Sequence, residues 1–341
     1  MSNDDLVVVT GAGGFIGGHL VGYLQQTLGH TRIRAVDSKP LEEWYQTHPG
    51  VESLSLDVSD RSNAYRSSRD ARQIYNLAAD MGGMGFIETH KAECMLSVLI
   101  NTHMLMAAKD CGAERFFFSS SACVYAADKQ TDANVTALKE EDAYPAMPED
   151  GYGWEKLFSE RMCRHFREDY GLRTRVGRYH NVYGPHGTYD GGREKAPAAI
   201  CRKVIEAKMS GRHEIEIWGD GEQTRSFMYI DDCLIGTTRL LAGDFIEPIN
   251  IGSDELVSIN RLVDIVEKIA GVKLTRRYKL DAPKGVRGRN SDNTLIQKVM
   301  GWAPSVRLED GMEKTYRWIH DEMVSGRDSL VNRAPRLASA G

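Results

Sequence analysis

Paired cysteines, long apolar runs and a strong excess of either charge are all missing from this 341-residue sequence. Its six cysteines (Cys94, Cys111, Cys123, Cys163, Cys201 and Cys233) are irregularly spaced without a CxxC pair, which indicates neither a disulfide framework nor a zinc site. No apolar stretch approaches the roughly 20 residues that a membrane span requires. Met1-Ser2-Asn3-Asp4-Asp5 leads directly into a short apolar run rather than a secretory leader. A reduced, cytoplasmic setting with no membrane partner is therefore expected. The formal net charge of −5 provides no electrostatic footprint for nucleic acid, so any bound phosphate must be met by a local pocket. Internal repeats and low-complexity tracts are also absent.

What is present alternates. Leu6 to Thr10 is an apolar, β-branched run of the kind found in buried parallel strands, and an amphipathic helix is expected from about Ile16 to Gln26. Ile33 to Val36, Val51 to Leu56, Gln73 to Leu77, Arg115 to Ser119 and Thr174 to Gly177 read as further strands with helical patterns between them. This order predicts a Rossmann-type doubly wound parallel α/β sheet with a smaller C-terminal α/β substrate-binding lobe. The first domain is expected to span 1–178 and to be rejoined by 226–251, with a helix after Asp231-Asp232 and a strand before Gly252. The lobe is expected over 179–225 and 252–328, including helices near 198–209 and 258–270, a strand from Ile215 to Trp218 and an Arg/Gly-rich loop at 284–293. A polar, small-residue-rich tail over 329–341 would be frayed or draped on the surface.

Between the first strand and helix lies Thr10-Gly11-Ala12-Gly13-Gly14-Phe15-Ile16-Gly17. Gly11 permits a tight turn, Gly14 lets backbone approach a pyrophosphate, and Gly17 allows close helix packing, with the helix N-terminus facing the phosphates. Alone, such a turn could equally be a glycine-rich loop without a ligand. Context decides for a dinucleotide: Asp37 ends the next strand about 20 residues after the last glycine, where an acid bonds the ribose 2′-hydroxyl. A carboxylate there repels a 2′-phosphate and favours NAD over NADP. Asp57-Val58 after the third strand would reach the adenine, although a loop carboxylate explains Asp57 almost as well.

Downstream, Tyr152 and Lys156 stand four residues apart, one turn along the same helix face. An ammonium so placed can lower a phenol's pKa until it accepts a proton from an alcohol. Ser121-Ala122-Cys123 ends the fifth strand and adds a second acid/base group, suggesting more than a simple dehydrogenase.

The chain resembles the extended short-chain dehydrogenase/reductases that act on nucleotide sugars. More specifically, Asn76-Leu-Ala-Ala-Asp-Met-Gly-Gly-Met-Gly-Phe-Ile87, Gly191-Gly-Arg-Glu-Lys195-Ala-Pro, Trp218-Gly-Asp-Gly-Glu-Gln-Thr-Arg225-Ser-Phe and Gly285-Val-Arg-Gly-Arg289-Asn-Ser-Asp-Asn293 are similar to runs in the GDP-mannose 3,5-epimerase family. The likeness extends from about residue 6 to 320. It implies NAD as cofactor, GDP-mannose or a related nucleotide sugar as substrate, and a homodimer. By the same resemblance, Tyr152 and Lys156 are the catalytic pair, Cys123 and Lys195 the epimerising groups, and Ser121 the substrate-binding serine. Leu77, Ala78 and Ala79 would join the glycine turn around the cofactor, and Gly82, Asn181, Glu194, Ala196, Lys203, Gln223, Arg225 and Arg289 would hold the sugar nucleotide. Departures occur at Ser119 and Ala126, at Gly17-Gly18-His19 and in extra residues near 209–213, none at an implied catalytic position.

The chemistry follows from the substrate. Neither C3–H nor C5–H of a hexose is acidic, but oxidation at C4 places both α to a ketone, and two groups can then invert each centre by deprotonation and reprotonation. The expected product is GDP-L-galactose, GDP-L-gulose or both, with Cys123 as the thiolate base and Lys195 as the acid. Each group has an ordinary reading: a free cysteine is usually a small buried hydrophobe, and Lys195, Lys203, Arg225 and Arg289 could be solvated charges. An acidic protein that binds a diphosphate nevertheless needs guanidinium forks, and of Arg287 and Arg289 the second is preferred. His180 and His186 have no sequence neighbour to act with, and Phe116-Phe117-Phe118 reads as core. The rival is a GDP-4-keto-6-deoxymannose epimerase/reductase, against which Asp37 and Lys195 speak. A dehydratase would want an Asp-Glu pair near 121–123, a 4-epimerase would leave Cys123 and Lys195 idle, and a non-catalytic dinucleotide sensor need not keep both Tyr152 and Lys156.

Overall fold

A computed structural model describes residues 2–283 and 285–326, so the expected tail over 329–341 lies outside the described residues. The first half runs β1 (Val7–Thr10), α1 (Phe15–Gln26), β2 (Ile33–Asp37), β3 (Glu52–Ser55), α2 (Arg61–Ser68), β4 (Gln73–Asn76), α3 (Met84–Thr89), α4 (Lys91–Asp110), β5 (Arg115–Ser121), α5 (Tyr152–Tyr170) and β6 (Arg173–Tyr179). It continues through β7 (Val182–Tyr183), α6 (Ala196–Ser210), β8 (Glu214–Trp218), β9 (Thr224–Ser226), β10 (Met228–Tyr229), α7 (Ile230–Ala242), β11 (Ile249–Ile251), β12 (Leu256–Ser258), α8 (Ile259–Ala270), β13 (Thr275–Lys279), β14 (Gly288–Arg289), α9 (Thr294–Met300) and α10 (Leu308–Ser325).

Seven strands form one parallel sheet in the order β11-β6-β5-β4-β1-β2-β3. Val7, Val8 and Val9 are all buried, as expected for a strand covered on both faces. Their side chains alternate between two cores: Val7 and Val9 pack with Phe117, whereas Val8 packs with Phe116 and Phe118. The phenylalanine run is thus core on both sides of β5. Strand order reverses between β1 and β4, which opens the crevice at the carboxyl ends of these strands where doubly wound sheets take their ligands.

The remaining strands form short pairings outside the seven-stranded sheet. β9 joins β12 antiparallel and β14 parallel, β8 pairs with β13, and β7 pairs with β10. Ser258 caps α8 by accepting the Arg261 N–H at 3.1 Å, and α8 packs against α6 and α10. Three boundaries differ usefully from the sequence pattern. β5 continues to Ser121 and β6 to Tyr179, carrying both strand ends up to the crevice. Helix α7 starts at Ile230, ahead of Asp231-Asp232, because Asp232 is drawn inward to accept the N–H groups of Ser305 and Val306, both at 2.8 Å.

Candidate active site

At the β1–α1 turn the constraints are backbone constraints. Gly11 adopts φ +72°, and a Cβ at Gly17 would sit 2.1 Å from the Gly11 carbonyl oxygen. Gly14 precedes α1 without any side-chain cap, and no acid occupies the helix's first turn, so its positive end is left open to an anion. Asp37 closes the turn from β2: its carboxylate accepts the Gly13 N–H and the Lys39 N–H, each at 3.0 Å. Thr10 Oγ1 donates to Asn76 Oδ1 at 2.8 Å and accepts the N–H groups of Leu77 and Ala78 at 3.2 Å, tying β1 to β4 across the switch point. Phe15 and Ile16 open α1, Ala79 follows directly after Ala78, and Asp57 accepts the Ser59 N–H at 2.8 Å beside the buried Val58. A glycine turn in which a Cβ at Gly17 would strike the Gly11 carbonyl, an uncapped helix end and an acid at the end of β2 together fit a dinucleotide bearing a free ribose hydroxyl.

At the other end, β5 delivers Ser121 to the crevice, and a short 3₁₀ turn over Ala122–Val124 presents Cys123. Ser121 Oγ accepts the Cys123 N–H at 3.2 Å. Helix α5 begins at Tyr152, directly against this turn: a Cβ at Gly153 would lie 2.3 Å from the Cys123 carbonyl oxygen, so glycine is what lets the helix start there. Tyr152 and Cys123 are buried together with Phe86, Ile87 and Cys94. Lys156 Nζ lies 5.4 Å from the Tyr152 ring centroid, 4.7 Å from that of Phe118 and 3.5 Å from Glu155 Oε2. The protein groups do not bring the phenol toward neutrality. Burial pushes Tyr152 well above its usual range, with Cys123 and Glu155 adding to the effect and Ser121 opposing it.

Lys195 sits immediately before α6, where burial lowers its pKa while Cys123 and Cys233 oppose that shift. Cys123 departs from the expected thiolate: burial, then the Glu149 carboxylate, pushes the thiol up to about 11 despite the Arg289 guanidinium. Arg289 is also placed differently from a free phosphate fork. Its Nε donates to Gln130 Oε1 at 2.6 Å, its Nη1 faces Cys123 Sγ at 3.6 Å, and its Nη2 pairs with Glu149 Oε1. Glu149 and Gln130 were not singled out from sequence. Glu149 reads as one acid in a Pro-rich loop, and only its place three residues before Tyr152 hinted at the site. Burial opposes ionisation of Glu149, but Arg289 prevails and holds its carboxyl below the usual range.

The remaining substrate candidates spread outward from this centre. A Cβ at Gly82 would meet Phe86 at 2.8 Å, and Asn181 donates to the Ser226 carbonyl at 2.9 Å. Glu194 accepts the Gly192 N–H at 2.7 Å and lies beside Arg202, and Ala196 opens α6. Further out, Lys203 donates to the Glu216 carbonyl at 3.0 Å and Gln223 to that of Trp218 at 2.7 Å, near the Trp218 ring. Arg225 donates to the carbonyls of Thr224 and Val286, while Arg287 points outward to Asp220. His180 is no acid/base candidate: buried against Asn250, it is pushed down to about 3.

A dinucleotide cradle at the switch point, a tyrosine and a lysine on the first turns of α5 and a thiol just past the end of β5 define an α/β enzyme of nicotinamide-dependent sugar chemistry. The chain belongs to the NAD dependent epimerase/dehydratase family, whose model matches residues 7–252. It is 46% identical over 329 residues to GDP-mannose 3,5-epimerase 1 of Oryza sativa subsp. indica, spanning 96% of this chain and 85% of that protein. It is 45% identical over 318 residues to GDP-mannose 3,5-epimerase of Arabidopsis thaliana, with 93% and 82% covered. Among solved structures it is similar to UDP-glucose 4-epimerase from Thermotoga maritima with UDP-glucose, at TM-score 0.83 and 25% identity over 93% of this chain and 99% of that one. UDP-glucuronic acid 4-epimerase from Bacillus cereus, in complex with UDP-glucuronic acid and NAD, gives TM-score 0.78 at 26% identity over 92% and 98%.

Proposed function

We propose that this chain epimerises GDP-D-mannose at C3 and C5, yielding GDP-L-galactose, GDP-L-gulose or both, through transient oxidation at C4. NAD, when bound, would supply a hydride acceptor and donor for C4, so that the reaction has no net redox change. Gly11, Gly14, Gly17 and Asp37 would hold it, with the Asp37 carboxylate selecting against a 2′-phosphate. Tyr152 takes the C4 hydroxyl proton and later restores it, while Ser121 orients that hydroxyl. Once C4 is a ketone, Cys123 and Lys195 move the protons at C3 and C5. The single observation that carries this reading is that the loop leading into Lys195 packs on the cluster that buries Cys123 and Tyr152: Gly83 N–H donates to the Arg193 carbonyl at 3.0 Å, and the Arg193 guanidinium lies over the ring of Phe86, a member of that cluster. A plain 4-epimerase would need neither Cys123 nor Lys195.

The division of labour follows the chain: 1–178 with 226–251 for the dinucleotide, 179–225 and 252–326 for the sugar nucleotide. A homodimer is supported by an apolar surface on the paired helices α4 and α5, where Met95, Leu96, Leu99, Trp154 and Phe158 are exposed. A reducing, cytoplasmic setting suits six unpaired cysteines.

Incubating the purified protein with GDP-mannose in D₂O tests the reaction. Deuterium at both C3 and C5 by NMR, without accumulation of reduced cofactor, is expected. Label at C5 alone would restrict the activity to the gulose-type product. No label from a protein that retains NAD would overturn the assignment to GDP-mannose.

A further inference from the structure

The loop that carries Lys195 is held from two sides. Behind it, α6 fixes the backbone. The Lys195 carbonyl accepts the Ala199 N–H at 3.0 Å, and Arg202 reaches back to the Tyr189 carbonyl at 2.9 Å and to Glu194 Oε1 at 3.4 Å. Ahead of it, Arg193 crosses to the loop between β4 and α3. Its Nη1 donates to Asp80 Oδ1 at 2.6 Å and to the Met81 carbonyl at 3.3 Å. The guanidinium carbon lies 3.8 Å from the centre of the Phe86 ring, within cation–π range. The Arg193 carbonyl accepts the Gly83 N–H at 3.0 Å, and a Cβ at Gly83 would strike the Glu194 carbonyl oxygen, so the two loops meet backbone to backbone. The receiving loop is itself anchored, since the Asp80 N–H donates to Ser97 Oγ of α4 at 2.9 Å and Phe86 is buried with Cys123 and Tyr152. The Arg193 and Asp80 side chains are 41% and 42% exposed, where an ion pair adds little to global stability. What the contact fixes is the place of the loop, just before Lys195.

We infer that Arg193 is a positioning residue that latches the Lys195 loop onto the wall burying Cys123 and Tyr152, and so sets where Lys195 stands during epimerisation. The inference rests on the proposed reading of Lys195 as one of the two epimerising groups, and holds whether that group gives or takes the proton. A lysine could not replace Arg193 in full. The planar guanidinium lies over Phe86 while it donates to Asp80 and Met81, a combination that a point-like ammonium does not reproduce. The groups proposed for oxidation at C4 come from elsewhere: Tyr152 and Lys156 from α5, and Ser121 from the end of β5. Loss of the latch should therefore separate the two stages of the reaction. Oxidation at C4 proceeds, while proton exchange at C3 and C5, which needs Lys195 held in place, slows.

The test uses the NAD-bound protein and Arg193→Met, which keeps an unbranched side chain and removes the charge and the fork. Amide hydrogen exchange with mass spectrometry reads the latch without turnover, and the peptide containing Gly83 should lose protection. Rapid-mixing absorbance of reduced nicotinamide after addition of GDP-mannose reads oxidation at C4, and NMR in D₂O reads label at C3 and C5. Labelling should slow by about 10²-fold, the cost of a misplacement of about 1 Å, with oxidation at C4 and Tm close to the parent. Arg193→Lys should recover part of the loss through the Asp80 pair. Asp80→Asn should give the same selective loss to a smaller degree. It should add little to Arg193→Met in the double variant, because both remove one contact. If Arg193→Met does not fold, Asp80→Asn decides. Unaltered protection at Gly83, an equal fall in both stages, or full additivity in the double variant overturns the positioning role. Absence of label at C3 and C5 in the parent, with protection at Gly83 lost in the variant, would instead overturn the epimerase reading and leave the hold of Arg193 on the loop.

Discussion

The end of the cleft proposed for the dinucleotide is made of backbone, and the end proposed for the sugar of side chains. Gly11, Gly14, Gly17 and the open end of α1 lie within seven consecutive residues, and the constraint is a backbone one: Gly11 has a positive φ, and a Cβ at Gly17 would fall on the Gly11 carbonyl. Ser121, Cys123, Glu149, Tyr152, Lys195 and Arg289 come from separate stretches of a chain that must fold before they meet. The first kind of site survives as a local motif, whereas the second exists only as an electrostatic ensemble in which changing one group resets the others. Specificity for NAD should therefore behave as a local property, and the timing of proton transfer as a collective one.

Substitutions at the two ends should differ in kind. The largest effect is expected from Tyr152→Phe, which removes only the proton-transferring oxygen. Turnover should fall by about 10³-fold, within the usual range for losing a positioned acid/base group, while NAD still co-purifies. Loss of NAD together with activity would show that the two ends are not separable. Next comes Gly17→Ala, whose added methyl meets the Gly11 carbonyl. Overpacking of this kind costs about 1–3 kcal/mol, and it should appear as weakened NAD binding and a lower Tm without altering the protonation behaviour of Cys123. A smaller effect is expected at Asp37→Asn, where loss of a charged hydrogen-bond acceptor should weaken NAD by about tenfold, roughly 1.4 kcal/mol, and narrow its preference over NADP. Titration of both cofactors by protein fluorescence checks this, and an unaltered preference would remove Asp37 from the selection. Ser258→Ala should have the least effect. Loss of the α8 cap costs about 1 kcal/mol and should lower Tm by a few degrees, with NAD affinity unchanged, because α8 lies in the lobe proposed to bind the sugar nucleotide.

Much of the fold was legible because its strands are short apolar runs with turns between them. The valines of β1 and the phenylalanines of β5 cannot remain in water, and their period of two assigns them to opposite faces of one sheet. Boundaries were less legible where tertiary contacts compete with local preference. Asp231-Asp232 has the composition of a helix start, yet Asp232 serves the backbone at Ser305 and Val306 from inside α7. The extensions of β5 and β6 to Ser121 and Tyr179 arise from pairing with each other, which neither sequence segment reveals alone. At the site, Cys123, Lys195 and Arg289 could be selected, but their states could not. A cysteine beside an arginine suggests a thiolate, yet burial and the Glu149 carboxylate push the Cys123 thiol up.

Sequence alone determined the α/β class, the NAD-type turn with Asp37, the Tyr152/Lys156 pair and the membership of a nucleotide-sugar family. These depend on spacing along the chain and on side-chain types that steric and hydrophobic constraints leave little freedom to vary. Only the tertiary structure decided how Arg289 is used and that Glu149 lies beside Cys123. Those outcomes depend on distances between groups up to 166 residues apart and on their removal from water, and electrostatic free energy is set by separation and burial rather than by order along the chain.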